Sequence, residues 1–172
     1  MPELPRPHYE PEDSDPQWLT LSVQFHGHLG PWATAGARLG MAGRRDVDAE
    51  GYFDVELTVE GPLVKPPQSC FLDGLQVSTG ATLGKRNLKW VRAEKICVRV
   101  KNTRTGKVAH VRPTATLMEL LTSFKPRPKA AETGTQPDED DHNRADRELE
   151  SIARRIARLS EKEILEVTFP EK

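Results

Sequence analysis

The feature that most limits the fold is a break in apolar patterning over residues 125–143. This stretch, KPRPKAAETGTQPDEDDHN, holds three prolines and no bulky aliphatic side chain, and a basic half precedes an acidic half. A run of that length is uncommon inside a compact domain and is typical of a tether. The sequence therefore predicts a core domain over residues 15–124, a flexible charged linker over 125–143 and a C-terminal helical arm over 144–172.

Composition excludes several classes of protein. The 25 basic and 26 acidic residues give a net charge of −1, which argues against a nucleic-acid or membrane-surface binder. Two cysteines are too few for a disulfide framework, a four-cysteine zinc site or an iron–sulfur cluster. No apolar run approaches the roughly 18 residues of a membrane span. Residues 1–14, rich in proline and acidic residues, predict a disordered tail and not a signal peptide, so we expect a cytoplasmic protein.

The order of helical and strand patterns predicts the fold class. Asp15 followed by Pro16 is typical of a helix N-cap and first turn, and a second helix, rich in alanine and glycine, is expected from Pro31. Its glycines each cost about 1 kcal/mol relative to alanine, so close packing on another element must compensate. Later segments alternate apolar and polar residues, and residues 103–106 carry a hairpin signal. We expect an α+β fold, with N-terminal helices packed on an antiparallel sheet and a tethered C-terminal helix.

The predicted C-terminal helix carries a short apolar stripe. Its four members recur at helical spacing: Leu149, Ile152, Ile156 and Leu159. The stripe is too short for a free coiled coil, so the helix must dock on its own core or on a partner chain, and we expect it to pack across a two-fold axis. Glu150 and Arg154 have the favourable i,i+4 order, and Ser160 with Glu163 predicts a capping box.

The first group of candidate functional residues is the sequence FHGHLGP, residues 25–31. Its glycines and proline predict a loop between two helices, where His26 and His28 can converge on one ion. The positive N-terminal end of the second helix would lie beside them. Two solvated histidines, or one imidazole that caps a helix, are the alternative interpretation.

Cys70 and Asp73 form the second group. A cysteine at the start of a short helix has its thiolate stabilised by the helix dipole, which suits a metal ligand or a nucleophile. Asp73 lies one turn further on the same face, within reach as a base or an additional ligand. A buried structural cysteine is the alternative for Cys70, and Cys97 is expected in the core.

A glycine- and threonine-rich segment over residues 77–88 is the third group. Thr79, Gly80 and Lys85 can direct backbone amides and an ammonium group toward an anion. The segment is not a P-loop, because only three residues separate its glycines and Arg86 follows the lysine. A tight loop with a surface lysine is the alternative.

Taken together, these motifs resemble the FmdE family, whose members are similar to a component of molybdenum formylmethanofuran dehydrogenase. The resemblance rests on FHGHLGP before an alanine- and glycine-rich helix and on SCFLDGLQVSTGATLGKRNL, and it covers residues 18–124. It implies an α+β core that dimerises and a groove whose histidines and cysteine bind zinc or another divalent transition metal. The resemblance places the metal ligands at His26, His28 and Cys70.

Two departures from the family pattern limit the expected chemistry. Ala81 stands where many relatives carry a cysteine, and the C-terminal four-cysteine zinc ribbon of some relatives is absent. We therefore expect no cluster binding and no dithiol redox step.

Three functions remain open. The first is a metal-binding accessory protein of a redox enzyme in one-carbon or molybdopterin-linked metabolism, active as a homodimer. The second is a zinc-dependent enzyme, with Asp73 as catalytic base and with Lys85, Thr79 and Gly80 holding a small anionic substrate. The third is a non-catalytic dimeric structural module.

Overall fold

The computed structural model describes residues 3–124 and 139–170, with the backbone alone for residues 139–143. In these ranges the helices are α1 (Gln17–His26), α2 (Pro31–Asp46), α3 (Phe71–Thr79), α4 (Ala115–Thr122), α5 (Glu139–Arg158) and α6 (Glu161–Ile164). The strands are β1 (Val55–Gly61), β2 (Leu88–Arg92), β3 (Cys97–Asn102), β4 (Val108–Pro113) and β5 (Leu165–Thr168), and a 3-10 turn spans Gln68–Cys70. The predicted α+β class is confirmed. No helix in the described part of the chain is both long and apolar enough to cross a bilayer.

The five strands form one sheet in the order β2-β1-β3-β4-β5. Three neighbouring pairs are antiparallel, as predicted, but β1 and β2 run parallel because the chain crosses over through α3 between them. Strand β2 is not predicted from the sequence. In this edge strand Leu88 is buried and the next four residues are exposed, so the strand lacks the alternation that marks a half-buried strand.

Helix α2 occupies the centre of the molecule. One side faces the sheet, where a Cβ on Gly43 would lie 2.5 Å from Cγ2 of Val100. Another side meets α3, where a Cβ on Gly36 would lie 2.0 Å from the carbonyl oxygen of Phe71. The reciprocal contact is equally close, since a Cβ on Gly74 would lie 1.9 Å from the carbonyl oxygen of Ala33. The close packing predicted for the glycine-rich helix is confirmed, and it holds α3 against α2.

Helix α5 packs on α2 of its own chain. Ile156 is fully buried in the same cluster as the sheet residues, together with Ile164 of α6. The guanidinium of Arg38, on α2, donates hydrogen bonds to the carbonyl oxygens of Ile156, Ala157 and Leu159, which lie at the C-terminal end of α5. The sequence leaves two surfaces on which the apolar stripe could dock, the chain's own core or a partner chain. In the structure the helix docks on the chain's own core. Packing across a two-fold axis stays a prediction.

The predicted capping box at Ser160 and Glu163 is confirmed, but the N-cap expected at Asp15 is wrong. Pro16 occupies the N-cap of α1, and the Asp15 carboxylate instead accepts two hydrogen bonds from Arg154, at 3.0 and 3.1 Å, and one from Tyr9. Burial raises the pKa of Asp15, but these hydrogen bonds outweigh it and lower the pKa to about 2. Two parallel N–H···O bonds from one guanidinium fix the orientation of the carboxylate, which also accepts a hydrogen bond from the amide of Glu12 at 3.0 Å.

The segment over residues 3–14, predicted to be a disordered tail, makes hydrogen bonds with the folded part through its backbone. Arg154, which also binds Glu150 as predicted, donates to the carbonyl oxygen of Glu10 at 2.6 Å. The amide of His8 donates to the carbonyl oxygen of Gly27 at 2.7 Å. In the predicted linker, residues 125–138 lie outside the described residues, and α5 begins at Glu139, within the linker's last five residues.

Candidate metal centre

His26 and His28 lie in the bend between α1 and α2, as predicted. His26 is the last residue of α1, and Gly27 ends the helix in the left-handed region with φ of 96°. Gly30 is the N-cap of α2, which begins at Pro31. The two imidazole rings are 4.5 Å apart between centroids and tilted by 43°. The bend therefore brings both rings beside the positive end of α2.

Asp73 fixes the orientation of His26. Nδ1 of His26 lies 2.7 Å from Oδ2 of Asp73, and the His26 side chain is only 8 % exposed. The Asp73 carboxylate and then the Cys70 thiol raise the pKa of His26 to about 9, although burial acts to lower it. Nε2, on the other side of the ring, is buried and has no hydrogen-bond partner in the described part of the chain. The carboxylate thus holds the ring with Nε2 turned away from it.

The missing side chain of Gly30 leaves a gap between the two imidazoles. A Cβ at this position would lie 3.0 Å from Nε2 of His28 and 3.6 Å from Nε2 of His26. The Nε2 atoms of both rings therefore border one small space, which any larger residue at position 30 would fill. From the sequence, Gly30 is predicted only to begin α2, and its role in keeping this space open is not predicted. The position of this glycine two residues after His28 is the feature that could have indicated that role.

Cys70 meets the histidines from the other side. It is the N-cap of α3, at the end of the 3-10 turn, and carries a free, half-buried thiol. Together with His26, His28 and Gly30 it lines a small cavity of about 60 Å³, which we call the histidine cleft. The rim of this cleft includes Leu149, from α5. The structure therefore brings the three predicted ligands to one place.

A wider depression adjoins the histidine cleft. This outer cleft, of about 400 Å³, shares His26 and Cys70 and adds Asp73 and Gln76. A small molecule in the outer cleft would touch both the thiol and the carboxylate. In the two described ranges, no three His, Cys, Asp or Glu side chains are already gathered around one point as metal ligands. The predicted ligands share a cleft, and ion binding would require their side chains to turn toward a common centre.

The third group of predicted residues lies at the other end of α3, about 13 Å along the helix axis from Cys70. Thr79 is buried, and its hydroxyl donates to the carbonyl oxygen of Leu75 and accepts from the amide of Ala81. Gly80 caps the helix with φ of 71°. The Lys85 ammonium donates to the carbonyl oxygen of Gly80 at 2.9 Å. These contacts stabilise the C-terminal turn of α3, and Lys85 lines neither cleft.

The chain is similar to a known protein family and to a protein of an archaeon. Residues 25–166 match the model of a protein family described as "FmdE, Molybdenum formylmethanofuran dehydrogenase operon". A protein of Archaeoglobus fulgidus described as "Probable S-adenosyl-L-methionine-binding protein" is 28 % identical over 82 residues. That alignment covers 45 % of this chain and 22 % of the archaeal protein, so the similarity concerns a minor part of the relative.

Proposed function

The chain belongs to the FmdE family, and from that premise we propose that it is a metal-binding accessory protein of a redox enzyme in one-carbon or molybdopterin-linked metabolism. The proposed ligands are Nε2 of His26, Nε2 of His28 and the thiolate of Cys70. Two imidazoles and one thiolate suit zinc or a neighbouring divalent transition metal. The family match supports the redox-enzyme context, and the site chemistry supports the metal.

One observation carries the proposed metal site: the buried Nε2 of His26, without a partner in the described residues, faces a space that Gly30 keeps open. A buried polar atom without a partner costs free energy unless a ligand occupies it. The contact between Nδ1 and Asp73 supports the same proposal, because metal-binding histidines commonly donate their second nitrogen to a carboxylate. Asp73 is then a positioning residue and not a ligand.

A bound zinc ion would lower the pKa of a coordinated water or polarise a carbonyl group. The chain's own residues would provide the rest of the site. Asp73 would hold the His26 ring in place, and Pro67 and Leu149 would cover the ligands on the rim of the histidine cleft. The outer cleft would leave the Cys70 side open to water or to a partner.

Metal analysis of protein purified without a histidine tag tests the site. We expect close to one zinc per chain after reconstitution, and loss of the metal in Cys70→Ser and in His28→Ala. Cys97→Ser is the matched control, because Cys97 lies on β3, outside both clefts, and should retain full stoichiometry. Asp73→Asn should weaken binding by about 10- to 100-fold. Wild-type protein that holds no zinc, cobalt or nickel would contradict the proposal.

Purification from native cells tests the accessory role. We expect the chain to elute with a redox enzyme in a fixed ratio. Recovery of the chain without a partner, in active cells that express the enzyme, would argue against this role. We also propose that the protein is cytoplasmic and forms a homodimer. Sedimentation velocity of the isolated chain tests the dimer, and a monomer at micromolar concentration would contradict it.

A zinc-dependent enzyme is the second candidate, and the outer cleft favours it. This depression, open to solvent beside Cys70 and Asp73, has room for a small substrate. Turnover by the isolated zinc-loaded chain, abolished in Cys70→Ser and retained in Cys97→Ser, would favour an enzyme over an accessory protein. Lys85 does not line this cleft, so an anionic substrate there would need another cation.

A further inference from the structure

A third groove lies between α1, α2 and the C-terminal end of α3. It has a volume of about 210 Å³ and shares no residue with the histidine cleft or the outer cleft. Apolar side chains on three elements form its walls, namely Trp18, Leu21, Met41 and Val77. One cationic side chain, Arg44 of α2, also lines it, so we call it the Arg44 groove.

The guanidinium of Arg44 is held in place but is not neutralised. Its Nη1 donates to the carbonyl oxygen of Glu50 at 2.7 Å, which fixes the plane of the group. Its Nε is buried and has no hydrogen-bond partner in the described residues. Glu50 also lines the groove, but its carboxylate forms no ion pair with Arg44 within the described residues: that side chain is 86 % exposed and lies 3.7 Å from Arg104. A buried N–H without an acceptor is unfavourable, so a ligand that the guanidinium can turn to meet is favoured by the acceptor that it supplies.

We propose that the Arg44 groove binds a small monocarboxylate with a short apolar tail. A single guanidinium matches a single negative charge, and a carboxylate can accept hydrogen bonds from the Nε side of arginine. The apolar walls suit a hydrocarbon tail, with Trp18 offering the largest contact surface. A volume of about 210 Å³ is smaller than that of ordinary drug-sized sites, which limits the tail to a few carbons.

The location of the groove also gives Thr79 and Gly80 a role near a ligand. Both residues line the Arg44 groove, and neither lines the histidine cleft. The sequence predicts them as substrate-binding residues, and they border a groove whose only cation among its lining residues is Arg44. The proposed ligand site is therefore separate from the metal site and does not depend on metal binding.

Hexanoate is a suitable probe, with hexan-1-ol as its uncharged counterpart. We expect titration of the full-length ¹⁵N-labelled protein with hexanoate to shift the Trp18 indole and Arg44 Nε–H resonances with a saturating profile. Hexan-1-ol should bind at least about tenfold more weakly. The same result is expected with and without zinc, so a failure of the metal proposal leaves this test intact.

Two variants sharpen the test. Arg44→Gln should weaken hexanoate binding by about tenfold or more. Arg92→Gln is the matched control, because Arg92 lies exposed on β2, away from the groove, and its replacement should leave binding unchanged. The comparison of hexanoate with hexan-1-ol needs no variant, so it remains decisive if Arg44→Gln does not fold.

Three results would overturn the proposal. The first is equal binding of hexanoate and hexan-1-ol. The second is the absence of saturable shifts at Trp18 and Arg44 up to about 20 mM hexanoate, which corresponds to negligible affinity. The third is protection of the Trp18 indole by a second copy of the chain, which would mean that a dimer interface fills the groove.

Discussion

Replacement of Gly74 by alanine should separate α3 from α2 and disturb the histidine cleft. The new Cβ would lie 1.9 Å from the carbonyl oxygen of Ala33, whereas Cβ atoms almost never approach a heavy atom closer than 3.0 Å. The two backbones would have to move apart by about 1.1 Å or more. Overpacking of this kind costs roughly 1–3 kcal/mol. Here no rotamer can relieve it, because the alanine Cβ is fixed to Cα and the atoms that it meets are backbone atoms.

The net loss of stability can be worked out from two opposing contributions. We take the upper end of the overpacking range, about 3 kcal/mol, and subtract the roughly 1 kcal/mol that alanine gains over glycine inside a helix. The expected loss in the free energy of unfolding is therefore about 2 kcal/mol. Since α3 carries Asp73, the same displacement should weaken its hydrogen bond to His26, and the pKa of His26 should fall from about 9 toward its ordinary value of 6.5.

Urea unfolding and NMR titration of the histidines measure these two effects in metal-free protein. Gly84→Ala is the matched control, since the nearest atom to its new Cβ would be 3.9 Å away, and its stability should stay within about 0.5 kcal/mol of the wild type. Gly36→Ala, which opens the same contact from α2, should combine with Gly74→Ala less than additively. A Gly74→Ala protein as stable as the wild type, with an unchanged His26 pKa, would refute the argument that backbone contact sets the site.

Two further predictions concern the attachment of α5. The pKa of Asp15 is depressed from 3.8 to about 2, so its ion pair with Arg154 stabilises the fold above pH 3.8, and about 2 kcal/mol is lost as pH falls toward 2. Acid unfolding of Asp15→Asn should lack this pH-dependent step, and an unchanged profile would contradict the assignment. Arg38→Met removes the donor shared by three carbonyl groups at the end of α5 and should cost about 2 kcal/mol in urea unfolding. Arg38→Lys should restore little of that loss, because an ammonium cannot span the same acceptors; full rescue by lysine would show that charge alone matters.

The sequence predicts much of the local geometry of the candidate site. The glycines and proline around His26 and His28 place both histidines between two helices, and the structure confirms that bend. Cys70 at the start of a short helix and Asp73 one turn later are also where the pattern puts them. These features depend on contacts within about one helical turn, so the neighbouring residues in the sequence are sufficient to predict them.

Partners distant in sequence could not be predicted in the same way. The carboxylate of Asp15 binds Arg154, 139 positions further along, although its local context indicates an N-cap. Lys85 binds the carbonyl of Gly80 and not a residue of the outer cleft. In both cases the local pattern allows several partners, and the packing of remote elements selects one.

The amino-acid sequence by itself determined the bend between α1 and α2, the alternation of β1 and β3, and the residue types that can bind a metal. Only the tertiary structure decided which of those residues meet. The close approach of α2 and α3 at Gly36 and Gly74 brings Asp73 to the ring of His26, and it separates that pair from the turn at Gly80. The physical reason is range: caps and periodicity act over a few residues, whereas a site is assembled by backbone packing between segments that are far apart in the chain.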